Sequence, residues 1–238
     1  MSVEENAGKR FQGLPRNPGL RRFIEGKRQT ANLLPTISRG FAFAGWHERG
    51  YLPHRDESGL TQFVTFHLAD AYPAELRAEW SSLLAGEKDP DRRRWLEGCL
   101  DRGRGSCWLG DDRVARIVEQ ALRFHHGQRY ELLAWVIMPN HVHALVRTGD
   151  VPLGRIIGNW KRFTSREASR ILMDRGQGGI WAPDYWDTYM RDSQHEQRVL
   201  RYIENNPAKA RLVLDPRQWA WSSARYRGED GQLRLPNL

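Results

Sequence analysis

His141 and His143 stand two residues apart in the run Ala134-Trp-Val-Ile-Met-Pro-Asn-His-Val-His-Ala-Leu-Val146. The flanks are apolar and rich in β-branched residues, so the run reads as strand, turn, strand. Side chains two apart on a strand share a face. Both imidazoles can therefore grip one metal ion. About sixty residues on comes the helix-like segment Tyr202-Ile-Glu-Asn-Asn206-Pro207. There Tyr202 and Asn206 stand at i and i+4, on one helical face. A paired-histidine metal site, with a tyrosine and an oxygen ligand one turn away, points to metal-assisted nucleophilic attack on a phosphodiester.

Such a cut needs a nucleophile, neutralised phosphoryl oxygens and a stabilised leaving oxygen. A divalent ion on His141 and His143 supplies the second and helps the third as a Lewis acid. Tyr202 is a suitable nucleophile because its phosphate ester keeps the bond energy for rejoining. Its phenol, with an ordinary pKa of about 10, needs a base or a cation nearby, and no residue declares itself as that base. Asn206 offers a neutral carbonyl oxygen as third ligand, with Glu204 and Asn205 as alternatives. Such a site suits Mg²⁺ or Mn²⁺, and Zn²⁺ stays open. Each feature also has an ordinary reading. A bare His-X-His arises by chance, Asn206-Pro207 is a common helix stop, and Tyr185, Tyr189 and Tyr226 are equally aromatic.

The elements that must position these groups follow from periodicity. Gln62 to Ala69 alternates as a strand. A helix is expected over Ala74 to Leu84, a short one over Trp95 to Leu100, and another over Arg113 to His125 capped by Asp111 or Asp112. Two strands carry the histidines, about Tyr130 to Ile137 and His141 to Arg147, joined tightly through Pro139-Asn140. A long amphipathic helix spans about Leu153 to Met173, and Arg162, Arg166 and Arg170 form a basic stripe on it. Such a stripe is either a solvated face or a nucleic-acid contact. Ile180 to Arg191 reads as one or two short strands. A final helix, about Gln194 to Asn205, is capped by Asp192 or Ser193. Hairpin-forming strands alternating with helices predict an α+β fold, an antiparallel sheet with helices packed on it.

The 238 residues carry a formal net charge of +8, and the pI is near 9.9. That balance is typical of a nucleic-acid partner, and acidic lipid or an acidic protein would also account for it. Ten Trp, seven Tyr and eight Phe could stack unpaired bases, although most such rings fill cores. Cys99 and Cys107 form no CxxC pair, which excludes zinc-finger and thioredoxin-type readings. No apolar run approaches the length of a membrane helix, and no secretory signal is evident. A cytoplasmic protein with reduced thiols and no membrane contact is expected. The expected organisation is a basic, poorly ordered arm over 1–45, a catalytic domain over 46–215 and an extension over 216–238.

Pro139-Asn-His-Val-His143 followed by Tyr202-Ile-Glu-Asn-Asn-Pro207 resembles the single-tyrosine HUH transposases, the IS200-like group. More closely it resembles the REP-associated tyrosine transposases of bacteria. The likeness runs from about Gly50 to Tyr226 and includes Gly50-Tyr-Leu-Pro-His54, Gln62-Phe-Val-Thr-Phe66 and Trp219-Ala-Trp-Ser-Ser223. It implies a ferredoxin-like or RNA-recognition-type fold, His141, His143 and Asn206 as metal ligands, and Tyr202 as nucleophile. Insertion-sequence relatives carry Gln where this chain has Asn206, one methylene longer. The implied reaction is strand transfer on single-stranded DNA at palindromic, REP-like hairpins, through a 5′-phosphotyrosine. Arg162, Arg166, Arg170, Lys161, Arg191 and Lys209 would then hold DNA, and the aromatic segment Trp181 to Tyr189 would stack bases. Both homodimers and monomers fit the resemblance. A DNA- or RNA-hairpin-binding regulator that no longer cuts is the second reading. A water-using phosphoesterase, indifferent to Tyr202, is the third.

Overall fold

The computed structural model describes residues 42–48, 53–73, 76, 90–172 and 179–236. The chain divides into two units, Met1–Arg39 and Gly40–Leu238, and the described residues belong to the second. Most of the expected N-terminal arm and of the helix expected over 74–84 lie outside them, as do 173–178.

The centre is a four-stranded antiparallel sheet. Its strands are β3 (Thr61–His67), β4 (Tyr130–Ile137), β5 (His141–Thr148) and β6 (Trp186–Tyr189), in the spatial order β4-β5-β3-β6. Helices α1 (Pro90–Asp101) and α2 (Asp112–Arg123) lie between β3 and β4 in the chain. Helix α3 (Leu153–Leu172) lies between β5 and β6, and α4 (Ser193–Lys209) follows β6. The four-stranded order, with helical crossovers after its first and third strands, is the ferredoxin-like arrangement. The fold is α+β, as the strand and helix periods predicted. A small hairpin, β1 (Gly45–Glu48) with β2 (Pro53–Asp56), precedes the sheet. It was not legible in the sequence, because its strands are only four residues long and lack a clean alternation.

Alternation along the strands divides the core between the two sheet faces. On one face Val64, Phe66, Val142, Ala144 and Val146 pack with Val118 and Leu122 of α2 and Ile156, Ile157 and Trp160 of α3. On the other, Phe63, Val136 and Leu145 pack with Ile203 of α4, backed by Val199, Leu200 and Tyr202. An irregularity between Leu132 and Ala134 shifts the β4–β5 register, so that Val136 pairs with His143. The extra residue is a β-bulge, which turns Ala134 and Val136 toward α4.

Helix caps fall where the sequence put them. Asp111 accepts from the Arg113 amide, and Asp192 from the His195 amide. One end differs: α4 does not stop at Asn206-Pro207 but runs on to Lys209. Pro207 removes a single amide bond, while the Ala210 amide still bonds the Asn206 carbonyl at 2.9 Å, so the last turn closes. The segment after Pro216 covers the edge strand β4. The Ile137 amide donates to the Trp221 carbonyl at 2.9 Å, and Trp219 Nε1 donates to the Ile137 carbonyl at 2.9 Å.

Candidate metal centre and tyrosine

β5 presents His141 and His143 on the face covered by α4, both fully buried. Their Nε2 atoms are 3.2 Å apart. Each ring is oriented from behind. Asn140 Nδ2 donates to the Arg104 carbonyl at 3.0 Å, so Asn140 Oδ1 is the atom 2.8 Å from His141 Nδ1. An amide oxygen only accepts, so His141 Nδ1 carries the ring proton and Nε2 presents a lone pair. His143 Nδ1 meets Thr65 Oγ1 at 2.8 Å, across a directly paired position of β3 and β5. Outer hydrogen bonds of this kind fix the tautomers of metal-binding histidines. Burial, reinforced by His143, His67 and Lys209, holds the His141 imidazolium form well below its usual range. The ring is therefore neutral, as a ligand must be.

Asp101, at the end of α1, brings Oδ1 to 3.9 Å from His141 Nε2. Ligand atoms of Asp101, His141 and His143 all lie within 4.8 Å of one another. Two nitrogens each about 2.1 Å from one ion stand roughly 3.0–3.4 Å apart in octahedral or tetrahedral geometry. The Nε2 separation of 3.2 Å falls in that interval, whereas the carboxylate needs a small side-chain movement to join. Asp101 Oδ1 is buried without a hydrogen-bond partner, and its Oδ2 accepts from Lys209 Nζ at 3.1 Å. Asn206 is fully buried, and neither polar atom of its amide has a hydrogen-bond partner. An orphaned amide costs about 1–3 kcal/mol, which a cation or water at the site would offset. The other candidate oxygens on α4 are engaged elsewhere. Glu204 accepts from Ser223 at 2.6 Å and from Arg227 at 2.7 Å, and exposed Asn205 donates to the Arg201 carbonyl. The residues present fit a divalent cation.

Tyr202 lies against this cluster. Its ring centroid is 5.6 Å from that of His143 and 5.8 Å, edge-on, from that of Phe63. Lys209 Nζ sits 5.4 Å from the ring centroid, and the hydroxyl donates to Glu97 Oε2 at 3.2 Å. The rival tyrosines have other surroundings. Tyr185 is buried against His54, Tyr189 lies under the Arg55 guanidinium, and Tyr226 lies between Arg123 and Arg225.

The basic residues are distributed unevenly. Lys209 is at the site. Lys161 is half-buried and donates to the carbonyls of Ala182 at 2.9 Å and Asp184 at 2.6 Å; burial lowers its pKa to about 8. It pins the segment before β6. Arg162, Arg166 and Arg170 are exposed on α3, and Glu167 pairs with the latter two. Because α3 covers the sheet face opposite α4, the stripe is not brought together with Tyr202. Arg191 is exposed just before α4. Of the aromatic segment expected to stack bases, Trp181 and Tyr185 are buried in the core.

Sequence reasoning missed Asp101, Glu97, Thr65 and His67. Glu97 and Asp101 share the spacing i, i+4 on a helix, and that signal was available. His67 pairs directly with His141 across β3 and β5; burial pushes its pKa down to about 4, and Nδ1 bonds the Leu68 carbonyl oxygen.

The family model described as Transposase IS200 like matches residues 107–206. The chain resembles the IS200-like transposases. The matched segment includes both histidines, Tyr202 and Asn206. A REP-associated tyrosine transposase of Escherichia coli K12 is 23% identical over 104 residues, 43% of this chain and 59% of the relative. A Haemophilus influenzae protein assigned to the same group is 25% identical over 103 residues, 40% of this chain and 58% of the relative. The matches thus span under three fifths of either relative's length. A solved REP-associated tyrosine transposase bound to a REP hairpin is 18% identical, with a TM-score of 0.46, covering 75% of this chain and 82% of the other. Among the described residues, no helix is long and apolar enough to cross a membrane.

Proposed function

We propose that this chain is a transposase-type nuclease that cleaves and rejoins single-stranded DNA at hairpin-forming sequences, with Tyr202 as nucleophile. The observation that carries the reading is the packing of Tyr202 against His143, beside Asp101 and the orphaned Asn206 amide. His141 and His143 would hold a divalent cation of the Mg²⁺ or Mn²⁺ class, with Asn206 and Asp101 as oxygen ligands. When bound, that ion supplies Lewis-acid stabilisation of phosphoryl charge. Tyr202 Oη attacks the phosphorus, and the 3′-oxygen leaves with the bonding pair. The products are a 5′-phosphotyrosine and a free 3′-hydroxyl, which can reverse the reaction on a new end. Thr65 and Asn140 keep the imidazoles aimed, and Lys209 offers positive charge beside the ring. The net charge of +8 and the curated relatives' names as REP-associated tyrosine transposases support DNA as the substrate.

The test uses labelled single-stranded oligonucleotides from the palindromes flanking the gene, incubated with protein and Mg²⁺ or Mn²⁺. Label should migrate with the protein on a denaturing gel, and should be lost in Tyr202→Phe and in His141→Ala. Cutting that survives Tyr202→Phe without an adduct would favour water as nucleophile. Tight hairpin binding with neither product would favour a binding-only regulator.

A further inference from the structure

The carboxylates of α1 face the proposed chemistry, and one of them touches the reacting atom. Glu97 and Asp101 are one helical turn apart and project from one face of α1. Asp101 reaches His141 and Lys209. Glu97 Oε2 accepts the hydrogen bond of the Tyr202 hydroxyl at 3.2 Å. An ordinary phenol is ionised only to about 0.3% at pH 7.5, so attack requires that its proton be taken as the new bond forms. A general base must lie within about 2.6–3.2 Å of that proton's heavy atom. The other neighbours are ill suited. Lys209 is a cation over the ring, and His143 meets Thr65 through Nδ1 and His141 through Nε2.

Resting on the reading of Tyr202 as nucleophile, we propose that Glu97 is a catalytic residue, the base that receives the Tyr202 proton. In the forward step the Oη–H bond breaks and the proton passes to Glu97 Oε2. The Oη–P bond forms, the P–O3′ bond breaks, and O3′ keeps the bonding pair and takes a proton from water. A free phenol is less acidic than a carboxylic acid by roughly six pKa units. The transfer therefore completes only as phosphorus draws electrons from Oη. In the rejoining step the strand's 3′-hydroxyl attacks phosphorus and loses its proton to water. The Oη–P bond breaks, and the departing phenoxide regains its proton from Glu97. The same carboxyl thus serves both directions, as microscopic reversibility demands. Placement on α1 makes this base a property of the helix between β3 and β4, remote in sequence from both the histidines and the tyrosine.

The experiment compares wild type, Glu97→Gln and Glu97→Asp, each checked for an unchanged melting temperature and hairpin affinity. Single-turnover adduct formation in Mn²⁺ should fall about 10²–10³-fold in Glu97→Gln and less in Glu97→Asp. In Glu97→Ala, added formate should restore a concentration-dependent part of the rate, which a merely structural role would not allow. Independently of metal and DNA, the Tyr202 ring-carbon NMR signal, assigned through Tyr202→Phe, should shift in Glu97→Gln. An adduct rate in Glu97→Gln within threefold of wild type would overturn the role of Glu97 while leaving Tyr202 as nucleophile. An unmoved Tyr202 signal would overturn the contact itself. No adduct from wild type with any divalent ion would sink the reading beneath it, and the inference with it.

Discussion

Replacing Asn206 with Leu tests whether its buried amide is there for a ligand. The side chain is fully buried and neither polar atom has a hydrogen-bond partner. Leaving a buried polar group unsatisfied costs about 1–3 kcal/mol, and a volume-conserving apolar exchange costs under about 1.5 kcal/mol. In EDTA, Asn206→Leu should therefore be as stable as wild type or more so, by up to about 2 kcal/mol. The divalent ion should shift the balance toward wild type by about 1.3 kcal/mol. At a hundredfold excess over its dissociation constant, an ion that binds only the folded state adds about 2.7 kcal/mol. Losing one ligand with a tenfold loss of affinity would leave about 1.4 kcal/mol of that increment. Urea unfolding of both proteins, in EDTA and in Mn²⁺, reads all four values. A variant more than about 1 kcal/mol less stable in EDTA, or one that keeps the whole Mn²⁺ increment, would refute the argument.

Further outcomes follow from other contacts. His54 is buried beside Asp184 and Asp187; burial opposes its charge most, but their hydrogen bonds and negative charges prevail and raise its pKa to about 9. Its contribution, at most about 3 kcal/mol, is complete below pH 6.5 and lost as pH rises through 9. Unfolding at pH 6, 8 and 9.5 should show this loss in wild type, and an equal pH slope in His54→Gln would contradict it. Gly105 has φ +88°, and an added Cβ would lie 2.5 Å from the Asp70 carbonyl oxygen. Gly105→Ala should destabilise by at least about 1–2 kcal/mol. It should also weaken Mn²⁺ binding in calorimetry, because the neighbouring Arg104 carbonyl orients Asn140 and thereby His141. An unchanged metal affinity would break that chain of contacts. Reversing Arg162, Arg166 and Arg170 to Glu should leave the adduct rate at saturating DNA unchanged, since α3 covers the opposite face. A loss of hairpin affinity accompanied by a clearly lower salt slope would mean direct phosphate contact.

The histidine strands were legible because β-branched alternation and a Pro-Asn turn are local signals, and α4 because its cap and apolar period are local too. The sheet order was not, since pairing β3 with both β5 and β6 depends on contacts far apart in the chain. Asn206 was reachable by helical spacing from Tyr202, but its isolation from every polar partner is a fact of packing. Asp101 and Glu97 escaped notice because the sequence places only Trp95 to Leu100 of α1 in a helix, which stops one residue before Asp101 and splits the pair. The helix runs from Pro90 to Asp101 because Leu96, Cys99 and Leu100 bury one side. The arginine stripe shows the converse. Its period is real, yet the helix that carries it packs on the wrong sheet face to meet the tyrosine.

The most direct measurement is the point of attachment of DNA to protein. Trypsin cuts after Arg201 and Lys209, releasing Tyr202-Ile-Glu-Asn-Asn-Pro-Ala-Lys209 with a single tyrosine. After incubation with a labelled hairpin oligonucleotide and Mn²⁺, nuclease digestion and mass spectrometry should find that peptide carrying a 5′-nucleotide phosphate on Tyr202. The nucleotide on Tyr185, Tyr189 or Tyr226 instead, or cleaved DNA with every tyrosine peptide unmodified, would contradict the account.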